Sequence, residues 1–541
     1  MTVTDPIRGT SEPDRYWTCT NLGEAVPDVM SPMCWSVWED PEELGWLYSM
    51  YAFGVLPKKR LVVSPDVNER GLSCFYGRQA LNVDAIRKIM ADLPGVSGDD
   101  FERDLMGSVR PDAPQYKGSY RRLPVIMLKA PVTVVRMNGR IRRAHDKIRD
   151  LWLDEVVDGK SSESPLDRLI AGRELFQWAF SLHCVRRFMF QGAMSALTGA
   201  AEKAGDPGLI TQLLSGVGDV NETRMADDLW RLGQGQISED EFLREWGYHG
   251  PNEGNLYTTV WRENPGPIRQ MAAASARRDG RPRDRAELAH NTGIEAERTL
   301  LAATPALQRP VLRWLLRRTR NIVRTIQIGK TGYLMALDVA RAAARAFGAE
   351  QAALGRLQNP DDVFFLGIDE CQALERGELP NVQEIVDVRQ ATREEYKAMV
   401  LPVAFTGMPE PIVVEPDLDS ARLAEFSGAA GGGGRVEGWA RVVVDPGEDV
   451  DLEEGDILVC RFTDPSWTPL MSLASALVID IGGTASHGAV VARELNIPYV
   501  IGTEVGSRAI RDGDRILVDG DQNVVRVLER KASDVSKVST A

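Results

Sequence analysis

The sequence predicts a multidomain protein of the α plus α/β class, with a large, mostly helical domain followed by a small β/β/α domain. Two observations carry this. Apolar residues recur at helical spacing from about Val83 onward, most continuously over 165–205 and 299–347. After about residue 440 the texture changes to short β-rich runs at 441–444, 457–460, 476–481, 499–501, 515–518 and 524–528, interrupted by one helical stretch at 488–495. Between these textures, 427–434 is an unbroken run of Ser, Gly and Ala, which reads as a flexible linker because it offers no side chains to anchor a fold. The expected division is 1–425 for the helical domain, 426–435 for the linker, and 436–541 for the small domain with a frayed polar tail from 530. At 541 residues the chain exceeds what one core supports.

In chain order, 13–63 is rich in Trp and Pro, and 61–82 alternates short apolar runs with Gly and Asn, so the opening segment is expected to be irregular or to contain strands. Ile86, Ile89, Met90 and Leu93 begin the helical region. In the 299–347 helix, Arg313, Arg317, Arg320 and Arg324 stack in one stripe, while Leu312, Leu315, Val323 and Ile326 form the packing face. The stripe is either a solvated basic face or a source of charge for phosphate or an anionic substrate. Gly329-Lys330-Thr331 lacks the upstream glycine of a P-loop, and no Gly-Lys-Ser/Thr follows the glycine run, so neither reads as a nucleotide site.

Net charge is -14, which repels phosphate backbones and anionic lipid, so a small-molecule partner is expected rather than nucleic acid or membrane. The six cysteines contain no CxxC pair; they read as reduced thiols, without a metal site. Residues 1–15 lack a signal pattern and no run of 18 uncharged apolar residues occurs, so the expected location is cytoplasmic.

The richest chemistry lies in 481–495, which reads as a buried strand, a tight glycine turn and a capped helix with His487 in its first turn. Free amide donors and the positive dipole end gather there, so a neutral, phosphoryl-accepting histidine fits that position. Thr484 and Ser486 offer hydroxyls to phosphoryl oxygens, and Gly482, Gly483 and Gly488 allow close approach to the backbone. A structural cap is the plainer alternative on these grounds alone.

The motifs add weight. Gly455-Asp456, then Thr463-Asp464-Pro465-Ser466-Trp467-Thr468-Pro469, then Gly482-Gly483-Thr484-Ala485-Ser486-His487-Gly488-Ala489, and Ala492-Arg493-Glu494-Leu495-Asn496-Ile497-Pro498 closely resemble the mobile domain of the phosphoenolpyruvate-utilising family. The resemblance implies a swivelling, phosphohistidine-type domain in which His487 is phosphorylated, with the glycine run as its tether. Upstream, Asn21-Leu22-Gly23-Glu24-Ala25-Val26-Pro27 with Ser31-Pro32, the stretch from Tyr76-Gly77-Arg78 to Asn82, and Pro360-Asp361-Asp362-Val363-Phe364-Phe365-Leu366 resemble the substrate-binding domain of rifampicin phosphotransferases. This implies that the large domain is a helical substrate domain.

One motif departs from that family. Where Gly-His-Arg-Gly-Pro-Gly-Glu is usual, this chain has Gly247-Tyr248-His249-Gly250-Pro251-Asn252-Glu253. An arginine clamps a phosphoryl group with permanent charge, whereas a histidine moves protons near neutral pH. His249 and Glu253 are therefore acid–base candidates, with His249 expected to face His487 across the domain interface; His145, His183 and His290 are expected to be structural.

The family's ATP-grasp domain is not expected in a chain of this length, so no cofactor is expected to bind the chain itself. Two functions stay open. In one, a separate ATP-grasp protein loads His487 using ATP and Mg²⁺, and the phosphoryl group passes to a hydroxyl of a small organic substrate in the helical domain, with Arg317, Arg320 and Arg324 among the phosphate-binding candidates. In the other, His487 and His249 act as acid and base in a nucleotide-independent dehydratase or lyase on a hydroxylated, natural-product-like substrate. A non-catalytic binding protein is a third possibility.

Overall fold

The computed structural model describes residues 3–20, 22–93, 96–106, 108–206, 209–214, 216–217, 221–277, 281–412, 423–444, 452–453, 455–483 and 486–531. They form two compact units, and the chain passes between them several times: Met1–Ser195, Asn252–Thr259 and Asn321–Val413 make the first, and Ala196–Pro251, Val260–Arg320 and Val414–Ala541 the second. No helix among the described residues is long and apolar enough to cross a membrane.

In the first unit, Ser31 caps the helix Pro32–Phe53 by accepting the Cys34 N–H, Pro32 fits its first turn, and Gly54 at φ +88° ends it. Around it lie the helix Leu123–Trp152 and the N-terminal part of Pro165–Lys203. The opening segment does contain strands. β1 (Tyr16–Thr18), β2 (Leu72–Phe75), β3 (Arg78–Asn82) and β4 (Ala404–Thr406) form an antiparallel sheet in the order β2-β3-β1-β4. The β2-β3 turn places Tyr76 and Gly77 at φ 49° and 74°, the positive-φ pair that a two-residue hairpin of this twist requires.

This unit also buries a charge network. Arg87, fully buried, bonds Glu102 at 2.6 Å and Asp99 at 2.5 Å, and Arg110 joins Glu102 to Asp84 while lying 3.8 Å over the Tyr16 ring. Arg87→Met leaves the buried Glu102 short of its nearest cation and is expected to cost about 3–5 kcal/mol; adding Glu102→Leu should recover most of that. Urea unfolding checks both, and a single variant as stable as the parent would contradict the assignment.

The second unit is built on an eight-stranded sheet. Its strands are β5 (Glu425–Ser427), β6 (Ala430–Gly432), β7 (Arg435–Val442), β8 (Asp456–Cys460), β9 (Ala476–Ile479), β10 (Tyr499–Ile501), β11 (Arg515–Asp519) and β12 (Val524–Glu529). The order is β5-β12-β11-β7-β8-β9-β10-β6, with β7 to β10 parallel and the flanking pairs antiparallel. Parallel neighbours need crossovers, which Pro465–Leu473 provides between β8 and β9 and His487–Glu494 between β9 and β10. Period-two alternation feeds two cores. Ile457, Val459 and Val478 join Ile516 and Val518 on one face, while Leu458, Cys460, Leu477 and Ile479 meet Ala489 and Val491 on the other.

That second core corrects the expected domain division. It continues into Met225, Leu229, Trp246, Trp261 and Met271, so the helices Asn221–Gly233, Glu239–Trp246 and Gly266–Ala276 pack with the sheet rather than with a single 1–425 domain. The 426–435 linker is corrected as well. Residues 425–427 and 430–432 are the two edge strands, and Gly431 pairs with Val500. A Cβ on Gly431 would sit 2.5 Å from the Gly520 carbonyl oxygen, and Gly433 and Gly434 have φ of +83° and +93°. The run is glycine because backbone meets backbone there. Of the expected polar tail, Arg530 and Lys531 are described and 532–541 lie outside the described residues.

Candidate active site

The site grows from the end of β9. Asp480, next after the strand, anchors the turn by accepting Thr503 Oγ1 at 2.7 Å and the Ser507 N–H at 3.1 Å. Gly482 then adopts φ +147°, and a Cβ there would lie 2.8 Å from Ile501 Cγ2 and 2.9 Å from Ser486 Oγ. Only glycine fits. Gly483 faces open space. Ser486 caps the helix His487–Glu494: its hydroxyl accepts the Ala489 N–H and donates to the Gly483 carbonyl at 2.8 Å. Thr484 lies outside the described residues.

His487 is the first helical residue and is half-buried. Its Nδ1 lies 3.3 Å from Thr463 Oγ1 and its Nε2 3.3 Å from Thr468 Oγ1, so a hydroxyl flanks each ring nitrogen. A hydroxyl both donates and accepts, so the pair orients a neutral ring in either tautomer. Asp464 shapes the segment between the two threonines by accepting the Ser466 N–H at 2.9 Å. Gly488 lets the helix start rest on that segment, since a Cβ would lie 3.0 Å from Thr463 Oγ1 and 2.5 Å from Ile479 Cδ1. The arrangement can present an imidazole lone pair as a nucleophile beside the helix-start amides, a place that favours negative charge.

Thr463 and Thr468 were not singled out by sequence reasoning, although both stand in the 463–469 motif. What brings them to His487 is the parallel pairing of β8 with β9, Cys460 opposite Ile479, which sets the loops after both strands side by side.

His249 is 3% exposed and packs against Tyr248, Trp261 and Trp246, with ring centroids 4.4, 5.7 and 6.1 Å away. It belongs to the second unit, whereas Glu253, four residues on, belongs to the first. There the Glu253 carbonyl accepts Arg341 Nη2 at 2.8 Å, while Trp38 Nε1 donates to the neighbouring Gly254 carbonyl at 2.9 Å. Its charge adds to the burial that raises the Tyr333 phenol. Of the arginine stripe, Arg320 pairs with Glu297 at 2.5 Å, Arg317 is exposed, and Arg324 lies in the first unit. His290 Nδ1 bonds the Gly216 carbonyl at 2.8 Å. No group of three or more metal-ligating side chains occurs among the described residues.

The strand, the glycine turn and the helix-start histidine between parallel strands lie within a stretch that is similar to a known domain family. Residues 452–523 match the PEP-utilising enzyme, mobile domain, and residues 233–325 match the rifampicin phosphotransferase fourth domain. The rifampicin phosphotransferase of Streptomyces sviceus is 30% identical over 329 residues, covering 59% of this chain and 37% of that protein. The rifampicin phosphotransferase of Bacillus subtilis is 35% identical over 173 residues, covering 32% of this chain and 20% of that protein. The chain thus spans little more than a third of the first relative and a fifth of the second.

Proposed function

We propose that this chain works in phosphoryl transfer: His487 accepts a phosphoryl group and passes it to a hydroxyl of a small organic substrate held by the helical part of the chain. The observation that supports it most is the His487 ring, oriented by Thr463 and Thr468 at a helix start within the stretch that matches the mobile domain. In the first step a ring nitrogen attacks phosphorus, the bond from phosphorus to the donor oxygen breaks, and the ring gives up its proton. In the second, the substrate hydroxyl oxygen attacks phosphorus, the phosphorus–nitrogen bond breaks, and the proton the hydroxyl gives up is balanced by one returned to the ring, which restores the neutral imidazole. ATP and Mg²⁺ act through a separate ATP-grasp protein in this reading. The dehydratase reading relies on His249 as an acid or base, and a side chain 3% exposed among three aromatic rings offers a substrate little access.

Intact-protein mass after incubation with ATP, Mg²⁺ and an ATP-grasp protein from the same source tests the proposal. The expected result is an added phosphate that is lost in acid. No uptake from that protein or from phosphoramidate, together with loss of water from a hydroxylated substrate, would overturn it. Thr468→Val is expected to slow uptake about tenfold, the effect of one lost hydrogen bond to the ring, and Thr468→Ser to restore it. Equal uptake rates for all three proteins would remove Thr468 from the site.

A further inference from the structure

The net charge of -14 is an average over the whole chain, and the helix Leu123–Trp152 with the segment before it departs from that average. Between Ala113 and His145 stand eight Lys or Arg and no Asp or Glu, although 78 of the 541 residues are acidic. Arg122 and Lys129 donate to the Gly54 and Tyr51 carbonyls and Arg140 to the Tyr48 hydroxyl, and Lys129 and Arg140 also lie over the Tyr51 and Tyr48 rings, so these partners carry no formal negative charge. Arg121, Arg136, Arg142 and Arg143 are exposed.

The same face carries bare apolar side chains. Met127, Leu128, Val132 and Val135 are 69%, 75%, 48% and 68% exposed, and Tyr120 is 69% exposed at the N-terminal end. Spacings of three and four residues align them on one side of the helix. The helix cannot roll to hide them, because Met137, Ile141 and Ala144 on its other side are locked into a core with Ala52, Leu182 and Val185. The result is an apolar patch with basic residues at both ends, Arg121 before it and Arg136, Arg142 and Arg143 after it.

A second copy of this chain fits the face poorly, since a two-fold contact would press one cationic surface on another. Nucleic acid would leave the aliphatic patch without a partner. An anionic bilayer satisfies both components: aliphatic side chains enter the acyl boundary, tyrosine suits the interface, and arginines meet phosphates. The acidic remainder of the molecule is screened beyond about 8 Å at physiological salt, so the local charge governs contact.

We infer that this face docks the protein on an anionic phospholipid surface, with Met127, Leu128, Val132 and Val135 in the acyl boundary and Arg121, Arg136, Arg142 and Arg143 on the headgroups. The inference is independent of the chemistry at His487. Flotation of the full chain with phosphatidylcholine vesicles, with and without phosphatidylglycerol, tests it. The chain is expected to float with the anionic vesicles only, and binding should fall at least about tenfold in about 1 M salt, where the screening length shrinks to about 3 Å. Each cation near the surface is worth about fivefold in partition, so Arg142→Glu with Arg143→Glu should also lower binding at least about tenfold. Leu128→Asp, at a solvent-exposed position, should act in the same direction without changing the circular dichroism. Failure of the parent chain to float, as expected if an acidic protein covers this face instead, overturns the inference. So does undiminished flotation of the variants.

Discussion

His487→Gln is expected to take up no detectable phosphate while unfolding at the same denaturant concentration as the parent. The amide has no nucleophilic nitrogen lone pair, and losing a nucleophile costs on the order of 10⁶ in rate in well-studied enzymes. Its oxygen and nitrogen can still bond the hydroxyls of Thr463 and Thr468, the groups that flank the ring, and the residue remains at the first turn behind the Ser486 cap. The fold therefore has no reason to respond. Mass spectrometry after incubation with the donor reads the first half of the expectation and urea unfolding the second. Phosphate on the variant at the parent's rate would place the accepting group elsewhere.

The second large effect concerns Glu42. It lies on the inner side of the helix Pro32–Phe53, 2% exposed, and burial, helped by the charge of Glu43, pushes its carboxyl up to about 8. Glu43 is raised by burial to about 7, although the Gly71 N–H and Arg70 pull it back. A carboxyl raised above its unfolded value keeps its proton in the folded state where the unfolded chain has released it. Stability from Glu42 is therefore intact below about pH 4.5 and is lost as pH rises toward 8, at about 1.4 kcal/mol per pH unit. Glu42→Gln, nearly isosteric and always neutral, should match the parent near the acid end of that window and exceed it by a few kcal/mol above pH 8. His183 works in the opposite direction: burial holds its ring down to about 3, so stability is lost as pH falls from about 6.5 toward 3. Urea midpoints across this range check the signs, and a Glu42→Gln profile parallel to the parent's would refute the account.

What the sequence determined is what local pattern can carry. Apolar period 3.6 set the long helices, short β-rich runs set the strands of the second unit, and the glycine turn with the Ser486 cap set His487 at a helix start. These depend on residues within a turn or two of one another, so they are legible before the chain is folded. Tertiary structure decided matters that depend on distant segments. A glycine run serves a loose tether and a tight backbone contact equally well, and only the approach of Gly520 and Val500 shows that 431 belongs to a strand. Helical spacing says that 221–276 has an apolar side but not that a sheet more than 150 residues later covers it. Thr463 reaches His487 through parallel pairing, Arg320 leaves its stripe for Glu297, and Glu42 becomes a neutral acid through burial. Burial and pairing are set by what packs on a residue from elsewhere in the chain, and that information appears only when the chain is folded.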